Sequence, residues 1–295
     1  MSVIRFPLSV RATAADFLAL GKPRIVAFIV ITVVAGFLLV PVPGPGALVL
    51  VHAVIGTTLV AAGTNALNQL FERDVDALMR RTERRPLAAG RLSALAGAAF
   101  GWSAGAGGIV WLAWFTNATT AALAALTLLS YVFLYTPLKR RSTLATLVGA
   151  VPGALPIVGG WTAGGGELGP GAWVLFWIMF LWQLPHFLAL SWIYREDYRR
   201  AGLRMLSVTD GDGTETFRQA SLYALALVPV SLAPTVLGLS GTTYFVGALL
   251  ISGWLAGVSL RAARVRSPKS AGRLFAASNL YLPVLLLLMV LNRAA

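Results

Sequence analysis

The chain of 295 residues has no cysteine, only two histidines, and just 12% Asp, Glu, Lys and Arg together. Without cysteine it can form no disulfide, no thiolate metal site and no cysteine nucleophile. A soluble surface normally carries roughly 25% charged residues, so this chain lacks the charge to cover one. It also lacks the short alternating segments of a membrane β-barrel. What it has instead is apolar residue content of 57%, too much for a disordered chain. Runs of about 20 apolar residues, the length that crosses a hydrocarbon core, recur from residue 25 to 291. The sequence therefore predicts an all-α, polytopic membrane protein.

Nine transmembrane helices are expected, at 25–42, 46–69, 93–115, 117–136, 144–163, 171–192, 219–239, 241–260 and 274–291. Turn-forming residues punctuate them: Pro41, Pro43 and Pro45 around Gly44, Gly164 to Gly166 before Pro170, and Gly238 to Gly241. Thr116–Asn117 leaves room only for a very tight turn. The runs are apolar all round, so hydrophobicity alone does not reveal which face of each helix is buried.

Charge sorts sharply between the two ends. The segment 1–24 and the loops 70–92, 137–143, 193–218 and 261–273 hold 23 of the 24 Lys and Arg residues, and Arg293 alone falls on the other side. Ten of the 11 acids share the basic end, Glu167 being the exception. Positive loops stay in the cytoplasm, which puts the N-terminus inside and the C-terminus outside. This distribution also accounts for the net charge of +13 without any nucleic-acid partner. The first 24 residues lack the apolar core of a cleaved signal peptide. Arginines with Ser2, Ser9 and Thr13 would suit a mitochondrial presequence, but Asp16 and the short length favour a bacterial inner membrane.

Ionisable residues close to the membrane are the first candidates for chemistry. Four acids fall between 72 and 83 and five between 196 and 215. In the first group, N-Q-L-F-E-R-D-V-D (68–76), Asn68, Glu72 and Asp76 would share one face if the second helix continued past the interface, with Asp74 pointing elsewhere. Oxygen donors converging in this way suit magnesium, which binds few carboxylates and keeps sites for phosphate oxygens. Arg80, Arg81, Arg84 and Arg85 follow at once, and guanidinium groups bind phosphate bidentately. The plain alternative is a solvated loop of surface ion pairs. In the second group, R-E-D-Y (195–198), Asp197 or Glu196 faces the choice between a second metal ligand and a polar helix stop. Asp210, Asp212 and Glu215 read as a loop and helix start. His186 lies in F-L-W-Q-L-P-H-F (180–187), beside Pro185 and Gln183, where it would either ligate haem iron or hydrogen-bond a carbonyl. His52 is expected at an interface.

The stretch N-Q-L-F-E-R-D-V-D-A-L-M-R-R-T-E-R-R-P-L (68–87) resembles the first acidic motif of the UbiA-type intramembrane prenyltransferases. Its R-T-x-x-R-P-L ending is similar to the haem-farnesylating branch of that family. So are G-K-P-R (21–24), Y-T-P-L-K-R-R (135–141) continuing to G-A-L-P (153–156), and W-Q-L-P-H-F (182–187) followed by D-Y (197–198). Two positions differ from the broader family. Glu72 replaces its usual Asp, and Ala201 stands where a second D-x-x-x-D motif would close.

The resemblance implies a single domain over 1–295, with nine helices in a bundle around a central cavity. It implies farnesyl diphosphate and haem B as substrates, in a lipid bilayer, with haem O and diphosphate as products. Asn68, Glu72, Asp76 and Asp197 would hold Mg2+, and Arg81, Arg85, Lys139 and Arg140 would neutralise the diphosphate. His186, Gln183, Tyr135 and Tyr198 would line the haem or cavity region. A haem A synthase or another haem–copper oxidase assembly factor becomes the candidate protein partner. Three rivals remain: a prenyltransferase with an aromatic quinone-precursor acceptor, an ion-coupled transporter, and a non-catalytic oxidase assembly factor.

Overall fold

Small residues decide which helices touch. The computed structural model describes residues 13–41 and 44–293; Arg5, Arg11, Ser2, Ser9 and Pro43 lie outside them. The chain runs α1 (Ala14–Gly21), α2 (Pro23–Leu38), α3 (Ala47–Asp76), α4 (Ala94–Phe115) and α5 (Ala118–Leu129), then a π-helical turn (Ser130–Tyr135) into α6 (Thr136–Leu138). After α6 come α7 (Ala145–Ala163), α8 (Pro170–Ile193), α9 (Arg195–Arg200), α10 (Leu206–Thr209), α11 (Thr214–Val236), α12 (Thr242–Val265) and α13 (Pro268–Leu291). A Cβ on Gly63 of α3 would stand 2.5 Å from the backbone nitrogen of Gly105 on α4. Gly36 of α2 meets the backbone of Ile157 on α7 in the same way. Lipid tails are as apolar as the helices, so close backbone packing of this kind is what holds membrane helices together.

The helices form two groups. α2, α3, α4, α5 and α7 pack with one another, as do α8, α11, α12 and α13, and the groups join where α7 meets α8 and α2 meets α13. No strand occurs among the described residues, as an all-α chain requires. Among the described residues eight helices, counting α5 to α6 as one, are long and apolar enough to cross a membrane; α1 and α2, bent by 47° at Lys22, make a ninth if taken as one span. The chain is thus a multi-pass membrane protein.

Element limits shift from those expected. α3 runs seven residues beyond 69 and ends at Asp76, and α13 begins at Pro268 rather than 274. Both extensions are polar turns with intact backbone hydrogen bonding, which a hydropathy run does not include. Residues 14–21, expected as part of a polar N-terminal segment, form a helix with a capping box between Thr13 and Asp16.

The two ends differ as the charge pattern requires. At one end Arg293 donates to Leu38 O, Gly241 N to Asn292 O, and Asn117 Nδ2 to Thr162 O. Asn117 also caps α5 through Thr120 N, closing the tight turn after Thr116. At the other end the charged loops tie to one another: Arg91 to Asp16 at 2.7 Å, Arg266 to Asp212 at 3.0 Å, and Arg204 N to Lys139 O at 2.8 Å. Asp210 and Asp212 accept from Thr216 N and Thr214 N, so they start α11 as expected.

Candidate active site

The last turns of α3 organise the charged end. Because α3 stays helical to Asp76, Asn68, Glu72 and Asp76 stack along one buried face, with 2%, 5% and 1% exposure. Asp74 points outward and pairs with Arg140 at 2.5 Å. Just above the row, Asn65 Nδ2 donates to Gly21 O (3.0 Å) and Gln69 Nε2 to Leu20 O (2.7 Å). These amides cap the carbonyl end of α1 and fix the bend that follows it.

At that bend Lys22 adopts φ 55°, left-handed backbone that a lysine seldom takes, and Pro23 opens α2 directly after it. The turn directs Lys22 inward, and its Nζ donates to Asn68 Oδ1 at 3.2 Å. Lys22 is a site residue that reading the acids alone does not single out. Its signal in the sequence is the G-K-P-R stretch, a lysine trapped between a helix-ending glycine and a helix-starting proline.

Pro137 shapes the opposite wall. Lacking an N–H and clashing with the carbonyl four residues back, it drives the preceding turn into π-helix, a rare geometry frequent at functional sites. Thr136 Oγ1 then donates to Tyr131 O (2.8 Å) and accepts from Asn68 Nδ2 (3.2 Å). Tyr131 and Tyr135 pack with ring centroids 4.8 Å apart and planes inclined by 58°, and Lys139 lies over the Tyr135 ring at 4.4 Å. Lys139 Nζ donates to Glu72 Oε1 at 2.8 Å. Burial works against the lysine's charge, but the Glu72 carboxylate outweighs it and raises the amine's pKa above the ordinary lysine value.

Asp76 is held by Arg85, whose Nη1 donates to both carboxylate oxygens at 2.9 and 2.7 Å. Thr82 Oγ1 donates to Asp76 O, folding the intervening loop back over the end of α3. The same loop reaches the second acidic segment. Arg81 N donates to Asp197 Oδ2 at 3.3 Å, Arg200 pairs with Asp197 at 3.4 Å, and the Arg81 guanidinium lies 5.0 Å over Tyr194. Asp197 is 9% exposed. Its neighbour Glu196 is exposed, and the hydrogen bond from Arg199 holds its carboxyl below the usual range. Of the two candidates in R-E-D-Y, only Asp197 faces inward. Tyr198 packs with Val75, Met79 and Leu203 between the two acidic loops.

The expected convergence of acids is therefore not preassembled. Among the described residues no three His, Asp or Glu side chains stand together as a metal site. Like charges separate unless a cation lies between them, and here Glu72, Asp76 and Asp197 each hold a basic side chain instead. Arg140 does not join Lys139 and Arg85 at the buried row; its partner Asp74 is on the exposed flank of α3.

His186 and Gln183 face different neighbours, not one common pocket. Gln183 Nε2 donates to Ala150 O at 2.8 Å, clamping α8 to α7. His186 turns to α13, its Nδ1 3.0 Å from Ser278 Oγ, with its ring against Trp182 and Phe275. Ser278 Oγ also lies 2.8 Å from Phe275 O, and whether it donates to or accepts from the His186 ring follows the imidazole tautomer. His52 stacks on Phe115 at 4.4 Å near Trp111, far along α3 from the acids.

Long, apolar, membrane-spanning helices thus carry buried acids interleaved with long-armed bases at one end. The chain belongs to the UbiA prenyltransferase family, which it matches over residues 29–282; it is a prenyltransferase. It is 45% identical over 287 residues to a protoheme IX farnesyltransferase of Solibacter usitatus (strain Ellin6076), covering 94% of this chain and 98% of that one. Its fold is similar to that of a digeranylgeranylglyceryl phosphate synthase, with TM-score 0.78 and 16% identity over 94% and 97% of the two chains. It is also similar to a UbiA homolog from Archaeoglobus fulgidus bound to GPP and Mg2+, with TM-score 0.65 and 15% identity over 93% and 99%.

Proposed function

We propose that the protein joins the farnesyl group of farnesyl diphosphate to a vinyl group of haem B. Water adds in the same reaction, giving haem O and releasing diphosphate. The observation that carries this reading is the 45% identity, over nearly the whole of both chains, to a relative named for that activity. His186, its ring oriented by the Nδ1 contact with Ser278 Oγ, is the residue we assign to haem iron.

The donor set fits a magnesium ion. Asn68, Glu72 and Asp76 offer hard oxygen atoms in one buried row, the ligand type magnesium prefers, and the similarly folded UbiA homolog is bound to GPP and Mg2+. Asn68, Glu72 and Asp76, with Asp197 across the loop, would hold it. When bound, the ion supplies positive charge to the departing diphosphate.

The chain's own residues carry out the rest. Lys22, Lys139 and Arg85 reach the row on flexible arms, and Arg81 lies beside Asp197. An arriving diphosphate draws Lys139 and Arg85 off their carboxylates and Lys22 off Asn68, and the charge of these groups and of Arg81 stabilises the leaving oxygens as the allylic C–O bond breaks. The farnesyl cation that remains is shielded from water by the apolar helices. Tyr135, and Tyr131 packed at an angle beside it, present ring faces that stabilise a cation by about 0.5–2 kcal/mol each. The haem vinyl carbon donates its electron pair to the cation. Water then adds to the resulting carbocation and loses a proton, completing the hydroxyethylfarnesyl group.

In this reading the bent α1–α2 pair is the first of nine spans around a central cavity. The basic loops lie in the cytoplasm, where soluble farnesyl diphosphate arrives, and the membrane is the bacterial inner membrane. Membranes carrying the protein, incubated with haem B, radiolabelled farnesyl diphosphate and Mg2+, should place label in the extracted haem fraction. Label in a quinone precursor such as 4-hydroxybenzoate, with none in haem, would reassign the acceptor.

A further inference from the structure

A second recess lies outside this site. A groove of about 930 Å³ runs along the flank of the bundle between α3, α4 and the π-helical turn. Its walls are apolar: Leu70, Phe71, Leu95, Ala98, Val132 and Phe133. Its mouth, at the basic end, holds Arg73, Arg140 and Arg141 with Asp74. The Asp74 carboxylate is already taken by Arg140. Among the described residues, Arg73 and Arg141 have no carboxylate partner and are exposed. The mouth therefore carries a net charge of two positive units beside an open apolar trough.

The walls belong to segments apolar enough to span a membrane, so the trough faces hydrocarbon and the arginines lie where head groups lie. An acyl chain fits the trough, and a phosphate with net negative charge fits the mouth. A zwitterionic lipid fills the trough equally well but leaves the two positive charges uncompensated. A soluble anion satisfies the mouth and leaves the trough bare. The body of α3 separates the groove from the buried Glu72 row, since Phe71 and Asp74 face the groove while Glu72 and Asp76 face inward.

We propose that this groove is a binding site for one anionic phospholipid from the leaflet on the side of the basic loops. Arg73 and Arg141 grip its phosphate, and the Phe71–Phe133 wall holds an acyl chain. Thr136 lines the groove and also accepts from Asn68, so the occupant sits against the far side of the turn that orders the active-site amide. The claim does not depend on which acceptor the enzyme prenylates.

The full-length protein, purified in detergent and mixed with equal amounts of phosphatidylglycerol and phosphatidylcholine of identical chains, tests it by native mass spectrometry. One phosphatidylglycerol should be retained in preference. The double variant Arg73→Gln/Arg141→Gln should retain it roughly thirtyfold less, as expected for removing two interfacial arginines. Ala98→Trp, which fills the trough without changing charge, should also expel it, while both variants keep prenyl transfer in phosphatidylcholine vesicles. Equal retention of the two lipids by the unaltered protein would overturn the proposal, as would a preference untouched by the arginine pair. Displacement of the lipid by farnesyl diphosphate in stoichiometric amounts would also overturn it, by making the groove a substrate site.

Discussion

Lys139 Nζ stands 2.8 Å from Glu72 Oε1 and 4.4 Å from the centre of the Tyr135 ring. One amine thus neutralises a buried carboxylate and covers an aromatic face. It comes from the short loop after α6, while both partners come from helices. Glu72 and Tyr135 are placed by packing, and the lysine is the part free to move.

On the proposed function, this arrangement makes metal and diphosphate binding cooperative. With Lys139 on Glu72 and Arg85 on Asp76, a divalent ion meets carboxylates that are already paired. Isothermal titration should show weak Mg2+ binding alone and tighter binding with a non-hydrolysable farnesyl diphosphate analogue, by about tenfold or more, which corresponds to roughly 1.4 kcal/mol. Equal Mg2+ affinity with and without the analogue would contradict the pairing.

Asp76→Asn removes a charged ligand and leaves Arg85 without its partner. Haem O formation should fall by roughly 10²–10³, the loss typical of a deleted electrostatic stabiliser, with membrane insertion and elution volume unchanged. Normal turnover would reject any role for Asp76 in the reaction.

Haem retention should depend on the Ser278–His186 bond as well as on the histidine. His186→Ala should abolish the Soret signal of protein purified with haem. Ser278→Ala, which removes the hydrogen-bond partner of the ring, should weaken haem affinity by about 10–100-fold, as losing a partner behind a histidine ligand does. If both variants hold haem like the unaltered protein, His186 is only a packing residue between α8 and α13.

The Lys139–Glu72 pair has a defined pH signature. Its folded-state pKa lies above the unfolded lysine value. The stability from that shift is therefore complete below an unfolded pKa of about 10.4 and is lost only as pH rises through the still higher folded value. Lys139→Met should lower the thermal midpoint by the same amount at any pH between about 6 and 9. A penalty that shrinks across that window would mean the lysine titrates there.

Gly63→Leu should separate α3 from α4. The added side chain meets the backbone of Gly101 and Gly105, which cannot retreat. A loss of about 1–3 kcal/mol is expected from such overpacking, read as a lower midpoint in detergent and as activity lost in parallel with folding.

Much of this was legible in the chain. The scarcity of charge and the recurring apolar runs made it a helical membrane protein, because only segments that satisfy their own backbone can cross lipid. The crowding of bases and acids into alternate loops singled out the end that carries the candidate site. The spacing of Asn68, Glu72 and Asp76 put them on one face once α3 was known to continue, since a helix repeats every 3.6 residues wherever it is.

Tertiary packing decided what spacing does not encode. Lys22 enters the site only because Asn65 and Gln69 hold the end of α1 and turn the lysine inward. Arg140 leaves it because Asp74, two residues beyond Glu72, faces the other way. Gln183 and His186, three residues apart on α8, are claimed by α7 and α13 respectively. Sequence fixes which groups a helix carries and at what intervals. Which neighbour each group meets depends on helix contacts far apart in the chain, and in lipid those contacts follow the fit of glycine against backbone, with no preference of one apolar face over another.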